Sequence, residues 1–129
     1  MITWEQLKTI ISGACSVSTE TDDYVLYTTK TLPKTGMVLK SKDSGGYDIV
    51  KVASQVSDLS VDKLDAALTI IGIRFPDGYL DHVGEGYTIS VSRSLPIPME
   101  SLESFAFLLG SVPKMAVVLQ EALSDGNTN

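Results

Sequence analysis

Apolar residues near the N-terminus recur at the spacing of an amphipathic helix. Thr3 and Gln6 have the N-cap to N3 spacing of a capping box, in which side chain and backbone satisfy each other's hydrogen bonds. Three apolar residues then share one helical face: Trp4, Leu7 and Ile11. The pattern predicts a first helix here, and the Ser/Thr-rich segment 16–21 predicts a polar loop after it.

Strand patterns occupy the next part of the chain. Residues 24–30, 37–42 and 47–56 are rich in β-branched and aromatic residues, which favours three strands. The sequence Asp43-Ser-Gly-Gly46 predicts a hairpin turn between the second and third strands, because glycine takes positive φ without steric cost.

Helical spacing returns after this third strand. Ser60 is placed as the N-cap of a second helix. Its apolar stripe consists of Val61, Leu64, Leu68 and Ile71. Residues 79–83 and 87–93 then predict two further strands, joined by a glycine-rich turn.

The last third of the chain predicts a long helix. Pro96 and Pro98 end the preceding strand, because proline cannot donate a ladder hydrogen bond, and the helix then begins at Pro98 or Met99. Apolar residues recur at alternating spacings of three and four: Leu102, Phe105, Leu109, Val112, Ala116, Leu119 and Leu123. A proline inside a helix costs about 3 kcal/mol or more. Pro113 therefore predicts a kink, or a split into two helices with Ser111 as the second N-cap.

The predicted element order is α-β-β-β-α-β-β-α. Helices that cover one face of an antiparallel sheet make an α+β two-layer fold, here with about five strands and a long kinked or split C-terminal helix. A chain of 129 residues suits a single domain, 1–129, in which residues 124–129 are expected to be a frayed tail.

Composition and charge narrow the range of partners. The net charge is −6 and the sequence pI is about 4.6. Nucleic acid and anionic membrane surfaces both favour an excess of Lys and Arg, so neither is expected as a partner. There is one cysteine, no basic region typical of a signal peptide, and no apolar stretch that approaches the roughly 20 residues that span a bilayer. The protein is therefore expected to be cytoplasmic.

The charge is distributed unevenly along the chain. Residues 24–56 contain five lysines and two aspartates, a net charge of +3. Lys30, Lys40 and Lys51 belong to this segment and could converge on an anion or another small ligand. A simpler interpretation is a solvated sheet edge that lysine protects from further strand pairing.

Few residues offer catalytic or metal-binding chemistry. His82 is the one histidine and Cys15 the one cysteine, too few for a Cys/His zinc cluster, and no Gly-x-Ser-x-Gly elbow is present. Asp58, Asp62 and Asp65 share one helical face, which is usually the hydrated side of an amphipathic helix. The sequence therefore predicts no catalytic set, no metal site and no cofactor.

The element order and the segment 78–123, GYLDHVGEGYTISVSRSLPIPMESLESFAFLLGSVPKMAVVLQEAL, resemble the type III secretion chaperone-like superfamily, including the YbjN-type proteins. The shared features are the α-β-β-β-α-β-β-α order and a proline break between the last strand and a long last helix. The resemblance implies a non-catalytic module, often dimeric, that binds a protein segment.

Three hypotheses follow for the function. The favoured one is a homodimeric, chaperone-like adaptor or regulator that binds a protein or peptide client, with Trp4, Leu7 and Ile11 as candidate contact residues. In this hypothesis Trp4 is either a lid on the core or an interface anchor. The alternatives are an anion or small-ligand site at Lys30, Lys40 and Lys51, and an enzyme of unrecognised type.

Overall fold

The computed structural model describes residues 1–56, 63–75, 78–82 and 89–126. These residues form three helices: α1 (Trp4–Ala14), α2 (Leu64–Arg74) and α3 (Glu103–Gly126). They also form six strands: β1 (Ser16–Glu20), β2 (Tyr24–Thr28), β3 (Gly36–Lys42), β4 (Asp48–Val56), β5 (Tyr79–His82) and β6 (Ile89–Pro96). The strands make one antiparallel sheet in the order β1-β2-β3-β4-β6-β5. The α+β fold class predicted from the sequence is confirmed.

The apolar core lies between the sheet and the helices. The sheet contributes alternate residues: Val25, Tyr27, Val38, Val50, Val52, Val56 and Val91. The helices contribute Trp4, Leu7, Ile11, Ala67, Ile71, Phe105, Leu108, Leu109, Val112, Met115, Ala116, Leu119 and Leu123. Burial of one such aliphatic side chain stabilises by about 1.5–3 kcal/mol, so the packing of these two layers holds the fold together.

Two local sequence signals produce the predicted local structure. Thr3 Oγ1 accepts a hydrogen bond from the Gln6 backbone N–H at 3.4 Å, and Gln6 Oε1 accepts one from the Thr3 backbone N–H at 2.9 Å. At the β3–β4 hairpin, Asp43 Oδ1 accepts from the backbone N–H groups of Gly45 and Tyr47, both at 2.9 Å. Both motifs need only residues within four positions of each other.

The segment predicted as a loop after α1 is instead the edge strand β1. Its residues are mostly exposed, so their side chains show no apolar alternation from which a strand could be predicted. The β1 backbone nevertheless pairs with β2, from Ser16 opposite Thr28 to Glu20 opposite Val25. The pairing is irregular between Val17 and Thr19, and a bulge of this kind protects a sheet edge from further strand addition.

The last helix begins later than predicted, at Glu103 rather than at Pro98 or Met99. The Met99 backbone is bonded to Ile2 in both directions, with N···O distances of 2.7 and 3.0 Å. This pairing keeps residue 99 out of the helix. Ser101 Oγ accepts from the Glu103 backbone N–H at 3.2 Å and satisfies one of the donors that the helix start leaves open.

The sequence left a kink or a split at Pro113 open; α3 passes through Pro113 as one helix, so the split with Ser111 as a second N-cap is wrong. Proline at this position removes the N–H that would bond the Leu109 carbonyl, four residues earlier. The Tyr27 hydroxyl donates to that carbonyl at 2.7 Å. A donor from the sheet therefore replaces the missing donor of the helix.

Two sequence-based boundaries lie partly or wholly outside the described part of the chain. α3 extends to Gly126, and residues 127–129 lie outside the described part, so the frayed tail expected at 124–129 stays a prediction. Ser60, the predicted N-cap of α2, also lies outside it. The described part of α2 begins at Leu64, with no side-chain cap at Lys63.

α3 is long and apolar enough to be compared with a membrane-spanning helix. By length and composition alone Glu103–Ser124 is apolar enough to cross a bilayer, with a mean hydropathy of 1.3, so the expectation that no stretch is long enough does not hold for this helix. In the fold its apolar stripe packs on the sheet. Four of its residues are fully buried there: Phe105, Val112, Ala116 and Leu119.

Candidate protein-binding face

The sheet face opposite the helices carries apolar side chains. Successive side chains of a strand point to opposite faces, so residues that pair directly across strands share a face. One row across this face is Leu26, Met37, Ala53, Ser92 and Tyr79, each paired with the next. A second row is Tyr24, Leu39, Lys51 and Ser94, and Ile49 lies two positions from Lys51 on the same side. We call these two rows with Ile49 the open face.

The large apolar side chains of the open face are only partly covered, whereas Ala53 and Ser92 in the middle of the first row are buried. Tyr24, Leu26, Met37, Leu39 and Ile49 are half-buried and lie outside the core, whose sheet residues all point toward the helices. Tyr79 at the edge is 38% exposed. Contiguous apolar surface on a folded domain is typical of an interaction site.

One edge of the open face is held by polar contacts. The Lys51 ammonium lies 5.8 Å from the centroid of the Tyr79 ring, within the range of a cation–π interaction. The Tyr79 hydroxyl is 2.6 Å from Ser94 Oγ, a hydrogen bond in which either oxygen can donate. These contacts link β4, β5 and β6 and fix the Tyr79 ring beside the apolar rows.

The residues proposed from the sequence as partner contacts are in the core instead. Leu7 and Ile11 are fully buried, and Trp4 is 6% exposed. Trp4 Nε1–H donates to the Asp22 carbonyl at 2.7 Å. The folded chain therefore does not present these three side chains to a partner, and Trp4 has the position of a lid on the core.

The sequence contains a signal for the open face that the prediction did not use. In β2, Val25 and Tyr27 point to the core while Tyr24 and Leu26 point away from it, and all four are apolar or aromatic. A strand with one solvated face alternates between apolar and polar residues. The lack of alternation in β2 indicates that both of its faces are apolar.

The three lysines of the alternative hypothesis do not converge. Lys30 is in the loop after β2, and Lys40 pairs with Val50 on the helix side of the sheet. Lys51 is the next residue along β4 and so belongs to the open face. Lys40 borders an open cavity of about 190 Å³, together with Asp23, Ser41, Lys42 and Asp48.

The cavity beside Lys40 already contains its own ion pair. Lys42 Nζ is 2.8 Å from Asp48 Oδ1. This hydrogen bond, and then the charge of Lys42, hold the pKa of the Asp48 carboxyl below its usual value. An incoming anion would have to compete with a carboxylate that is already in place.

The described residues offer little catalytic chemistry. Among residues 1–56, 63–75, 78–82 and 89–126, no group of three His, Cys, Asp or Glu residues is placed to hold a metal ion. Cys15 is half-buried, and burial raises the pKa of its thiol, which lowers the fraction of reactive thiolate. The backbone of His82 is in β5, and Asp58 and Asp62 lie outside the described residues.

Comparison with known proteins supports the fold. No protein-family model matches the chain, and no curated protein matches it in sequence. The crystal structure of YbjN from E. coli, a suggested transcription regulator, is similar, with a TM-score of 0.53 and 16% sequence identity. The match covers 95% of this chain and 92% of that chain. The chain therefore has a YbjN-like fold, as the resemblance in its sequence implied.

Proposed function

We propose that this protein is a non-catalytic adaptor or regulator that binds a protein segment on the open face of its sheet. The observation that supports the proposal most directly is the apolar surface of β2, β3 and β4 on the side away from the helices. Leu26, Met37 and Leu39 lie next to one another there, and each is only half-buried in the folded chain.

The chemistry of the open face suits a protein partner better than a small molecule. The apolar rows lie on a sheet surface that a partner can cover broadly, whereas small-ligand sites are concave and enclose most of the ligand. Tyr79 and Lys51 supply an aromatic ring and a charge at one side, where an interface commonly has its polar rim. The lysine alternative has less support, since Lys30 is in a loop while Lys40 and Lys51 lie on opposite faces of the sheet.

A regulatory role through protein contacts is compatible with the similar fold of YbjN. For this chain we propose regulation without direct DNA binding, because its net charge is −6 and DNA-binding surfaces neutralise phosphates with Lys and Arg. An adaptor of this kind would act by occupying a segment of another protein.

The test compares two neighbouring rows of the sheet surface with a control on α1. Wild type, Met37→Lys, Leu39→Lys and Thr9→Lys are immobilised, incubated with lysate of the native host, and analysed by quantitative mass spectrometry. Thr9 is exposed on α1, so its variant carries the same new charge on the other side of the molecule. We expect a defined partner that wild type and Thr9→Lys retain and that both open-face variants lose, with urea midpoints within a narrow range.

Two outcomes would contradict the proposal. If no protein is enriched by wild type over Met37→Lys, the open face is not a binding site under host conditions. If the open-face variants lose much of their unfolding free energy, the half-buried residues belong to the stabilising core of the chain and lost binding has a different cause.

The homodimer expected from the sequence remains part of the proposal. Light scattering of wild type gives the oligomeric state, and two variants then locate the contact. α2 exposes Leu68 at 54%, although the sequence placed it on the buried stripe, and Ile73 at 75%, so this helix is a second apolar candidate for self-association. A dimer lost by Ile73→Asp lies on α2, and a dimer lost by Met37→Lys covers the open face.

A further inference from the structure

A groove runs between the C-terminal end of α2 and the flank of α3. It has a volume of about 280 Å³. Phe75 and Met115 form part of its apolar lining and are themselves buried. Phe107 lines it too, but is 63% exposed. We call this the α2–α3 groove; it is on the helix side of the molecule and shares no residue with the open face.

The groove has the length of a short peptide segment. Phe107 and Val118 both line it and are eleven residues apart on α3. At about 1.5 Å per residue they are separated by roughly 16 Å along the helix axis. About five residues of extended chain span that distance, at roughly 3.3 Å per residue.

Two cations stand beside this apolar lining. Arg74, in the last turn of α2, and Lys114, on α3, both line the groove and are both exposed. Within the described part of the chain neither has a carboxylate within 4.0 Å. The chain as a whole has a net charge of −6, so the two cations make the charge beside this groove opposite in sign to the net charge of the protein. Charge complementarity therefore points to an acidic occupant.

We infer that the α2–α3 groove binds an acidic peptide segment of a partner protein, with an aromatic or large aliphatic side chain packed against Phe107. The apolar side chain supplies buried area, and aromatic residues are frequent anchors of such contacts. Carboxylates on either side of it bind Arg74 and Lys114. The forked guanidinium of Arg74 can bind a carboxylate through two hydrogen bonds, whereas Lys114 acts as a point charge.

The surface itself argues against two other occupants. In a second copy of this chain the corresponding surface would bring its own Arg74 and Lys114, and like charges disfavour contact between two copies of the groove. An anionic membrane would attract the two cations, but the surrounding surface belongs to an acidic protein. Both remain as outcomes that the test can detect.

The test selects binders from a phage-displayed library of random short peptides against the intact protein. We expect the selected sequences to share an aromatic or large aliphatic residue flanked by Asp or Glu. A synthetic peptide of the selected sequence is then titrated into ¹⁵N-labelled protein. The largest chemical-shift changes should fall at Phe107, Ser111 and Lys114, which line the groove, and not in β2 or β3.

Matched variants assign the binding to individual groups. Lys114→Glu and Arg74→Glu should each weaken the peptide by about tenfold or more, because charge reversal converts an attraction into a repulsion. Phe107→Ser should weaken it by a similar factor without a change in salt dependence. Lys40→Glu is the control, since it makes the same charge change at an exposed site outside the groove. Arg74→Lys keeps the charge and should retain most of the affinity.

Several results would overturn the inference. These are a selected consensus without acidic residues, shift changes confined to the open face, or equal weakening by Lys40→Glu and Lys114→Glu. Self-association that Phe107→Ser abolishes would make the groove an interface between copies of this chain. Binding to phosphatidylserine vesicles that Lys114→Glu abolishes, without any selected peptide, would make it a membrane contact.

Discussion

Gly36 pairs directly with Tyr27 across β2 and β3, and the Tyr27 ring occupies the space where a side chain at position 36 would lie. A Cβ atom placed on Gly36 would be 2.5 Å from the ring, closer than such atoms approach in proteins. The missing side chain leaves the space beside position 36 of β3 to the ring. From there its hydroxyl reaches the Leu109 carbonyl in α3.

Gly36→Ala is therefore expected to destabilise the protein. A methyl group forced against a buried aromatic ring costs about 1–3 kcal/mol, because either the ring or the strand has to move. Gly13→Ala in α1 is the matched control: a Cβ atom at position 13 would have no neighbour within 4 Å, and alanine in a helix is favoured over glycine by about 0.5–1 kcal/mol. Urea unfolding should show a lower free energy of unfolding for Gly36→Ala and a higher one for Gly13→Ala. An unchanged free energy of unfolding for Gly36→Ala would mean that Tyr27 is not held against position 36.

Tyr27→Phe tests how the helix tolerates Pro113. The substitution leaves the Leu109 carbonyl without the donor that it receives at 2.7 Å, which should cost about 1–3 kcal/mol for a buried polar group. Tyr79→Phe is the control, because its hydroxyl bonds Ser94 at the exposed surface and should cost less.

A double-mutant cycle then identifies the reason for the cost. In a Pro113→Ala background, residue 113 regains the N–H that bonds the Leu109 carbonyl, so Tyr27→Phe should cost clearly less than in wild type. Additive effects of the two substitutions would show that the tyrosine hydroxyl does not replace the helical donor.

The same hydroxyl predicts a dependence on alkaline pH. Burial, and to a lesser extent the nearby Cys15 thiolate, raise the pKa of Tyr27 above its usual value of 10.0. Because the pKa of Tyr27 is higher in the folded than in the unfolded state, the protonated phenol stabilises the fold at pH values below the unfolded-state pKa. This contribution is lost as the pH rises from the unfolded-state pKa toward the folded-state pKa. Urea melts should therefore show wild type losing stability above about pH 10, the ordinary tyrosine value, more steeply than Tyr27→Phe. Parallel curves would contradict this.

Trp4 is expected to act on stability and not on association. Trp4→Ala removes a buried indole and should cost about 3–5 kcal/mol. Trp4→Phe keeps most of the ring but removes the N–H that donates to the Asp22 carbonyl, and should cost about 1 kcal/mol. Light scattering should show no change in oligomeric state for Trp4→Phe. Lost association with unchanged stability would instead restore Trp4 as an interface anchor.

The Lys42–Asp48 pair predicts a local titration change. Lys42→Met should return the pKa of Asp48 toward its usual value of 3.8, because the main cause of its lowering is the hydrogen bond from Lys42. Because the pKa of Asp48 is lower in the folded than in the unfolded state, the ionised carboxylate stabilises the fold at pH values above the unfolded-state pKa. This contribution is lost as the pH falls through the folded-state pKa. Carboxyl NMR measures the shift directly, with Lys34→Met as a control that removes another lysine of the same segment. An unchanged Asp48 pKa would mean that the ion pair does not persist in solution.

The sequence alone determines those features whose causes are local. The capping box needs only Thr3 and Gln6, and the β3–β4 turn needs Asp43 together with Gly46, whose φ of +82° is one that other residues rarely adopt. The apolar stripe of α3 can also be predicted from the sequence, because a 3.6-residue period places its apolar residues on one face wherever the helix packs. These signals depend on neighbours within one or two turns, and they suffice for the α+β fold class.

Other features depend on contacts between distant parts of the chain. β1 is a strand because its backbone pairs with that of β2. The side chains of β1 are mostly exposed and do not alternate between apolar and polar, so the sequence of β1 does not indicate this pairing. α3 stays continuous through Pro113 because Tyr27, 82 positions from Leu109, donates the bond that the proline removes. Helix periodicity near Pro113 contains no information about a tyrosine in the second strand.

The position of the candidate site was decided by the tertiary structure as well. β2 is apolar on both faces, so its sequence cannot tell which of Val25 and Leu26 meets the helices. The choice is made when α1 and α3 pack over Val25 and Tyr27, which leaves Leu26 and Met37 on the other side. The same packing buries Trp4, the most conspicuous contact residue of the sequence. An apolar residue becomes core or surface according to the layer that covers it, and only the assembled fold contains that layer.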